Sequence, residues 1–379
     1  MLPPVMIAPI NFEALTATDY TIGQTIGTWR VTSNQVSVIT DPFNAMNGNN
    51  YLALANGTIS TNLRTFPGRT YALKLAYRGP GLVHWWRGES NTVDAIEGIN
   101  GHFSEPDGGS VVYSDAEVGK GFLFMGRAYL GVPYSPTLQF TNSFTLETWF
   151  EDLGSAIPPG YELISDRDHD PEPVNFCINI VNNNGDEGIG ITYHDPTDPS
   201  YPESGSDDPN FLDVSRYATL PTSGVFHHLA ATLQQIAPDK IQIRTFYDGE
   251  LVRTKVMPGN FTNTLNEEEV TIGSAYGGED LMMDEVSIYN RGLSVSETKA
   301  IYQAGTNGKF DSVEYNVSPS LSLAKAQVLV NGRTDMVFYG SNTNWQSQTI
   351  TFTATGFSTS IAIVGLEPGM LLDAVSNTK

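Results

Sequence analysis

The sequence predicts an all-β protein, and three observations support this fold class. Only 16% of the 379 residues are charged, while Gly, Asn, Thr and Ser are abundant. This composition suits short strands joined by many turns. Short runs such as 71–77 and 144–150 alternate apolar and polar side chains, which is the period of a strand with one buried face. Helix-type runs rich in Ala, Glu, Lys and Leu are almost absent.

The individual elements follow from local patterns. Residues 227–233 alternate as a strand, and residues 241–247 lead into Asp248-Gly249 and a second run. An Asp-Gly pair between two alternating runs predicts a β-hairpin. One short helix is predicted after Ser294, because Ser294 and Glu297 have capping-box spacing and Gly305 follows the helical run.

Charge and cysteine content limit the partners and the cellular compartment. The 42 acidic and 20 basic residues give a net charge of −22, which repels nucleic acid and anionic lipid. The excess carboxylates serve either calcium binding or simple surface solvation. With Cys177 alone, no intrachain disulfide forms. The sequence contains no apolar run of 18 residues, so no membrane span is predicted. We expect a secreted or cell-surface protein whose signal peptide has been removed; an intracellular protein is the alternative.

Residues 81–307 resemble a known family in seven ordered segments. They include Leu82-Val-His-Trp-Trp86, Phe144-Thr-Leu-Glu-Thr-Trp149, Phe226-His-His-Leu-Ala230, Tyr247-Asp-Gly-Glu-Leu251 and Met283-Asp-Glu-Val-Ser-Ile-Tyr289. This order resembles LamG-like, concanavalin A-like lectin and glucanase domains. The resemblance implies a jelly-roll β-sandwich over 81–307.

The two flanks resemble the halves of a second sandwich. Residues 1–80 and 308–379 together look like one galactose-binding-like jelly roll of the kind found in cell-wall proteins of unknown function. Neither flank alone supplies enough strands to close a sandwich. The predicted architecture is therefore a LamG-like domain nested in a split galactose-binding-like domain, inserted at a loop.

No catalytic constellation is visible in the sequence. There is no G-x-S-x-G, no H-E-x-x-H and no Cys/His spacing for zinc. Retaining glycoside hydrolases place two carboxylates about 5–5.5 Å apart, but Glu147 stands alone and Asp284 and Glu285 are adjacent in a strand. We therefore predict a protein that is not an enzyme; a polysaccharide-degrading enzyme is an alternative.

Two calcium sites are considered. Strand alternation places Asp284 on the apolar face of Met282, Val286 and Ile288, and a buried carboxylate must be paired, hydrogen-bonded or bound to metal. The family resemblance implies that a calcium ion can bridge Asp284 to Asp94 and Asn100; a plain hydrogen-bonded cap is the alternative. Asp166, Asp168 and Asp170 are a second candidate calcium site; a loop whose carboxylates are simply solvated is the alternative.

Exposed aromatic side chains would bind sugar rings by stacking. The candidates are Trp86, Tyr161, Tyr193, Tyr201 and Phe211, although core packing is the alternative for each. The predicted function is non-catalytic binding of a polysaccharide, cell-surface glycan or matrix, with calcium as the candidate cofactor. The main alternative is a self-associating subunit of a surface layer, filament or biofilm matrix.

Overall fold

The computed structural model describes residues 3–7, 11–153, 161–167, 174–183, 186–194, 212–213, 224–263, 265–273, 280–310, 322–342 and 344–374. The chain divides into two compact units. The first comprises residues 1–81 and 294–379, and the second comprises residues 82–293. The nested arrangement of one galactose-binding-like and one LamG-like domain remains a prediction.

The described elements are almost entirely strands. The first flank contains β1 (Val5–Met6), β2 (Asp19–Thr21), β3 (Thr25–Ile26), β4 (Trp29–Ser33), β5 (Gln35–Thr40), β6 (Asn50–Ala53), β7 (Thr58–Arg64) and β8 (Thr70–Arg78). The second unit contains β9 (Leu82–Trp86), β10 (His102–Ser104), β11 (Ser110–Asp115), β12 (Lys120–Met125), β13 (Tyr129–Val132), β14 (Ser143–Asp152), β15 (Tyr161–Arg167), β16 (Val174–Asn183), β17 (Asp186–His194), β18 (Leu212–Asp213), β19 (His227–Ala237), β20 (Lys240–Tyr247), β21 (Glu250–Pro258), β22 (Val270–Gly273) and β23 (Leu281–Tyr289). The C-terminal part of the first unit, residues 294–379, contains helix α1 (Val295–Ala304) and then β24 (Ser322–Val330), β25 (Arg333–Ser341), β26 (Gln346–Thr353), β27 (Ser358–Gly365) and β28 (Leu371–Asp373). Single 3₁₀ turns lie at Pro106–Gly108, Pro136–Leu138, Phe261–Asn263 and Gly305–Asn307.

The first unit consists of two sheets that mix strands from both flanks. One sheet has the order β1-β8-β28-β6-β5-β2, with β26 also on β8, and the other has the order β25-β24-β27-β7-β4-β3. The rings of Tyr77 on β8 and Phe338 on β25 pack edge to face, with centroids 4.8 Å apart, which joins the two sheets. The flanks therefore form one sandwich.

The second unit is also a two-sheet sandwich. One sheet has the order β10-β13-β22-β15-β16-β17-β18, and the other has the order β11-β12-β23-β14-β19-β20-β21, with β9 on β23. Both sheets bury one face in a shared core, where Phe144 of β14 and Phe176 of β16 lie 5.4 Å apart between ring centroids. The all-β fold class is thus confirmed.

The predicted helix and hairpin are both present. Helix α1 begins after Ser294, whose side chain accepts from the Glu297 amide while Glu297 bonds back to Ser294, so the capping box is complete. Gly305 ends the helix. The hairpin β20–β21 turns at Asp248 and Gly249, which have φ of 48° and 73°. A two-residue turn with both φ values positive matches the twist of the two strands, which explains the Asp-Gly pair.

Candidate functional site

The hairpin turn between β20 and β21 brings three polar or aromatic side chains together at one end of the second sandwich. We call His227, Tyr247 and Asp248 the hairpin site. β19 begins at His227, and β20 ends at Tyr247 beside it, with Leu229 opposite Tyr247 in the ladder. The site is therefore set by strand register and by the turn.

Asp248 anchors the start of β19 through both carboxylate oxygens. Its Oδ2 lies 2.8 Å from Nδ1 of His227, and its Oδ1 accepts the His228 amide at 3.0 Å. The Asp248 amide in turn donates to the His228 carbonyl at 2.8 Å. These bonds hold the imidazole of His227 in one orientation.

The imidazole of His227 stacks on the ring of Tyr247. Their centroids are 5.1 Å apart and their planes differ by 14°. The ring centroid of Phe150 lies 6.5 Å from that of the imidazole. The side chains of His227 and Asp248 remain 15% and 27% exposed. The hairpin site thus presents partly exposed ring edges and a carboxylate, which are groups that contact the C–H faces and hydroxyls of polar ligands. Nε2 of His227 is buried, so the imidazole contributes its ring surface.

The predicted sugar-stacking residues lie elsewhere. Trp86 is fully buried and stacks on His84, with ring centroids 5.4 Å apart, and Tyr193 on β17 is fully buried against Phe261. This placement corrects the expectation of exposed platforms at Trp86 and Tyr193, because neither ring reaches solvent. Tyr161 lies in β15. Tyr201 and Phe211 lie outside the described residues, so their role stays a prediction.

Asp94 is buried in a complete set of hydrogen bonds. Its Oδ1 accepts the amides of Trp85 at 2.8 Å and Ile96 at 3.0 Å. Its Oδ2 lies 2.7 Å from Nδ1 of His84 and accepts the Glu97 amide at 3.2 Å. Four N–H donors thus surround the carboxylate. A calcium ligand needs lone pairs directed at the ion, so Asp94 as placed fits a hydrogen-bonded anchor and does not fit calcium ligation.

Asp284 does not lie on the face that alternation predicts. Glu285 has φ of 56°, and the pairing with β14 shifts register between Glu147 and Trp149. The extra residue of such a bulge reverses the alternation. Leu281 and Met283 therefore share the core with Val286 and Ile288. The expectation that Asp284 shares a face with Val286 and Ile288 was wrong, because the sequence carries no sign of the bulge.

The remaining calcium candidates are placed as follows. Oδ2 of Asp284 accepts the Val118 amide at 2.8 Å, and Asn100 is exposed and pairs with Val93 in an isolated bridge. Asp166 is buried on β15, while Asp168 and Asp170 lie outside the described residues. Among described residues, no three His, Cys, Asp or Glu side chains converge as a metal-binding group. Calcium at 166–170 stays a prediction.

Glu147, which sequence reasoning treated as isolated, lies in a buried network. Its Oε1 lies 3.0 Å from Nε2 of His228, and its Oε2 accepts the hydroxyl of Tyr289 at 3.2 Å. All three side chains are at most 1% exposed. Burial and then the Glu147 carboxylate hold the pKa of the Tyr289 hydroxyl well above its ordinary value. A network this deeply buried fixes the contact between β14, β19 and β23 and gives a substrate no access.

Sequence reasoning missed the hairpin site as a unit. It identified the Asp-Gly turn and the strand that starts at residue 227, but no linear pattern links residue 227 to residue 248. The available signal was the hairpin itself, because the pairing of β19 with β20 brings the start of β19 next to the turn. Within the described part of the chain, no helix has the length and apolar character needed to cross a membrane.

Comparison with known families identifies the central part of the chain. Residues 124–299 match a laminin G family model, described as the concanavalin A-like lectin/glucanases superfamily. This region is therefore of the laminin G, concanavalin A-like type, which confirms the resemblance stated from the sequence for that range. The match spans less than half of the chain, and the galactose-binding-like resemblance of the flanks stays a prediction. No curated protein sequence matches the chain.

Several solved structures are distantly similar. Domain 4 of AbnA, a GH43 extracellular arabinanase from Geobacillus stearothermophilus solved with arabinotriose, has 16% identity and a TM-score of 0.43 over 58% of this chain and 98% of that one. The binding domain of Paraclostridial Mosquitocidal Protein 1 has 14% identity and a TM-score of 0.42 over 66% and 58%. A structure of botulinum neurotoxin type C, whose cell entry depends on interaction with two ganglioside molecules, has 13% identity and a TM-score of 0.43 over 70% and 63%. Likeness this distant assigns no activity to this chain.

Proposed function

We propose that this protein is a non-catalytic, extracellular glycan-binding protein that holds its ligand at the hairpin site. The concanavalin A-like match of residues 124–299 supports binding of carbohydrate as the general role. The observation that carries the proposal is the stack of His227 on Tyr247, fixed by Asp248 and left partly exposed. The secreted or cell-surface location belongs to the same proposal.

The ligand contacts follow from the chemistry of the three side chains. The edges and exposed faces of the two rings contact the C–H groups of a sugar, and the Asp248 carboxylate accepts hydrogen bonds from its hydroxyls. Because Asp248 already fixes the imidazole, little conformational entropy is lost on binding. Calcium, if bound, is proposed at the 166–170 segment alone, since Asp94 does not fit a calcium ligand.

The test is retention of the purified chain on a panel of immobilised polysaccharides, run with calcium and again with EDTA. His227→Ala and Tyr247→Ala should each lower the affinity for the retained polysaccharide by at least about tenfold, the effect of one lost contact of about 1.4 kcal/mol. His102→Ala is the matched control, because His102 also pairs with a carboxylate of the second unit, Glu269, at 3.4 Å.

Either of two results would overturn the proposal. One is a folded protein that no polysaccharide retains, which would favour a self-assembling structural subunit. The other is binding that His227→Ala and His102→Ala leave equally unchanged. Loss of retention in EDTA that Asp166→Asn reproduces would support the calcium contribution, and unchanged retention in EDTA would remove it.

A further inference from the structure

Two exposed phenylalanine rings lie together at one end of the first unit. Phe66 lies in the turn from β7 to β8, and Phe357 lies in the turn from β26 to β27. The two residues are 51% and 71% exposed, and their ring centroids are 6.3 Å apart. Single exposed apolar residues are ordinary, but apolar residues grouped in one exposed patch indicate a contact surface. We call Phe66 and Phe357 the phenylalanine tip.

Hydrogen bonds between the two turns fix the tip. The Thr65 amide donates to the Phe357 carbonyl at 3.0 Å, and the Gly68 amide donates to the Ala354 carbonyl at 2.8 Å. Thr65 is fully buried, and its hydroxyl donates to the Gly356 carbonyl at 2.8 Å. The backbone of both turns is therefore held in place without a contribution from the two exposed rings.

The turn after β7 places Phe66 outward by its own geometry. The Arg69 amide donates to the Phe66 carbonyl at 3.1 Å, with Pro67 and Gly68 at the two central positions. Gly68 has φ of 75°, and proline followed by a glycine with positive φ defines a type II turn. The Phe66 amide donates to the Tyr71 hydroxyl at 3.0 Å. The turn thus needs no packing from the Phe66 ring, which remains free to contact a partner.

The charged residues next to the tip are positive. Arg64 is the last residue of β7, Arg69 ends the turn that follows, and both are exposed. Residues 42–88 and 336–366, which supply both turns and the strands beside them, contain no Asp or Glu. The whole chain has 42 acidic residues and a net charge of −22. The tip therefore carries the opposite charge to the chain as a whole.

Geometry and charge together select a lipid surface as the partner. The planes of the two rings differ by 80°, so they cannot stack side by side on one flat sugar chain. Side chains at turn tips form a convex surface, whereas small ligands bind in concave sites. A second copy docked tip to tip would place Arg64 and Arg69 against like charges. A bilayer interface takes up convex apolar groups, and its phosphates accept hydrogen bonds from arginine.

We propose that the phenylalanine tip inserts both rings into the interface of a zwitterionic lipid bilayer, with Arg64 and Arg69 donating to lipid phosphates. Phosphatidylcholine has no net charge, so the net charge of −22 does not oppose this contact. The binding is weak and reversible, because two rings bury less apolar surface than one acyl chain. The inference concerns the first unit and is independent of glycan binding at the hairpin site, which lies in the second unit.

The experiment is flotation of the full chain with phosphatidylcholine vesicles, with a lipid titration that yields the partition coefficient. Phe66→Ser and Phe357→Ser should each lower this coefficient by at least about fivefold, because each removes one ring from the bilayer. Exchange of both Arg64 and Arg69 for Gln should lower it by about threefold through the lost phosphate bonds. Soluble phosphocholine should not compete, since it offers the headgroup without the apolar phase.

Phe43→Ser is the matched control. Phe43 is 69% exposed and belongs to the same unit. Its neighbour Asn44 accepts a bond from Arg78 at 3.0 Å, so Phe43 lies at the far end of β8, about 25 Å from the tip along the strand. Phe43→Ser should leave vesicle binding unchanged. His227→Ala should also leave it unchanged, so failure of the glycan site and failure of the lipid site are recognised separately.

Phe357→Trp reports where the tip lies in the bound state. Bromine atoms on the acyl chains of phosphatidylcholine quench a tryptophan only on contact. The emission of Phe357→Trp should therefore shift to shorter wavelength on plain vesicles and be quenched on brominated ones. The natural chain should show far less quenching, because its five tryptophans are buried or half-buried.

Four results would overturn the lipid contact. These are no binding of the natural chain to phosphatidylcholine vesicles, equal effects of Phe66→Ser and Phe43→Ser, displacement by soluble phosphocholine, and binding of Phe357→Trp without quenching by the brominated lipid. Each variant is compared after its circular dichroism spectrum matches that of the natural chain, and the two single phenylalanine variants test the tip independently.

Discussion

Replacement of Asp94 by alanine is the most direct test of how the loop after β9 is held. The substitution leaves four donors without their acceptor: three are buried, namely Nδ1–H of His84 and the amides of Trp85 and Ile96, and the fourth is the partly buried amide of Glu97. An orphaned buried donor costs about 1–3 kcal/mol, and removing one partner of a buried pair costs about 3–5 kcal/mol. Allowing for water at part of the site, we expect Asp94→Ala to lower the free energy of unfolding by about 3–5 kcal/mol.

The assay is urea denaturation followed by intrinsic tryptophan fluorescence, because Trp85 and Trp86 adjoin the site. Asp94→Asn is the graded comparison, since its one oxygen can still accept the amides of Trp85 and Ile96; it should lose about half as much. A loss below about 1 kcal/mol for Asp94→Ala would contradict the anchoring role. Stabilisation of the natural chain by calcium that Asp94→Asn abolishes would instead show that this carboxylate binds the ion.

Three further predictions follow from buried groups. The pKa of the Tyr289 hydroxyl is raised in the folded chain, so this hydroxyl loses its proton at a lower pH in the unfolded chain. The stability that the group contributes is therefore present below pH 10 and is lost as the pH rises above it. The melting temperature should fall between pH 10 and 11, and less so in Tyr289→Phe. Gly121→Ala places a Cβ 2.7 Å from the Met283 carbonyl and 2.9 Å from the Ala116 Cβ, so denaturation should show a loss of about 1–3 kcal/mol; an unchanged midpoint would contradict the packing. The thiol of Cys177, 1% exposed, should react with a thiol reagent only in urea; rapid reaction of the native chain would contradict its burial.

Much of the fold was predictable because its signals are local. The capping box at Ser294 and Glu297 depends on spacing within one turn of helix, and the Asp248-Gly249 turn depends on two adjacent residues with positive φ. Strand identity likewise follows from alternation over a few positions. Each of these patterns lies in contiguous sequence, so it can be recognised without knowledge of tertiary contacts.

The candidate site was less predictable because it depends on contacts between distant residues. The bulge at Glu285 changes the face of every residue before it on β23, and no turn residue marks it in the sequence. Trp86 and Tyr193 were selected as aromatics beside loops, yet strand pairing places both in the core. The stack of His227 on Tyr247 arises from the register of β19 with β20, which alternation alone does not determine.

The mixing of flank strands in the first unit has a consequence for the order of folding during synthesis. β7 pairs with β27, and β8 pairs with β26 and β28, so the ribosome must deliver nearly the whole chain before these ladders can form. The second unit is continuous over residues 82–293 and can therefore fold first, since domains generally fold as units as they emerge. Until then β7 and β8 would expose unpaired edges. A chaperone that shields the nascent first flank would thus act mainly on residues that the finished protein buries.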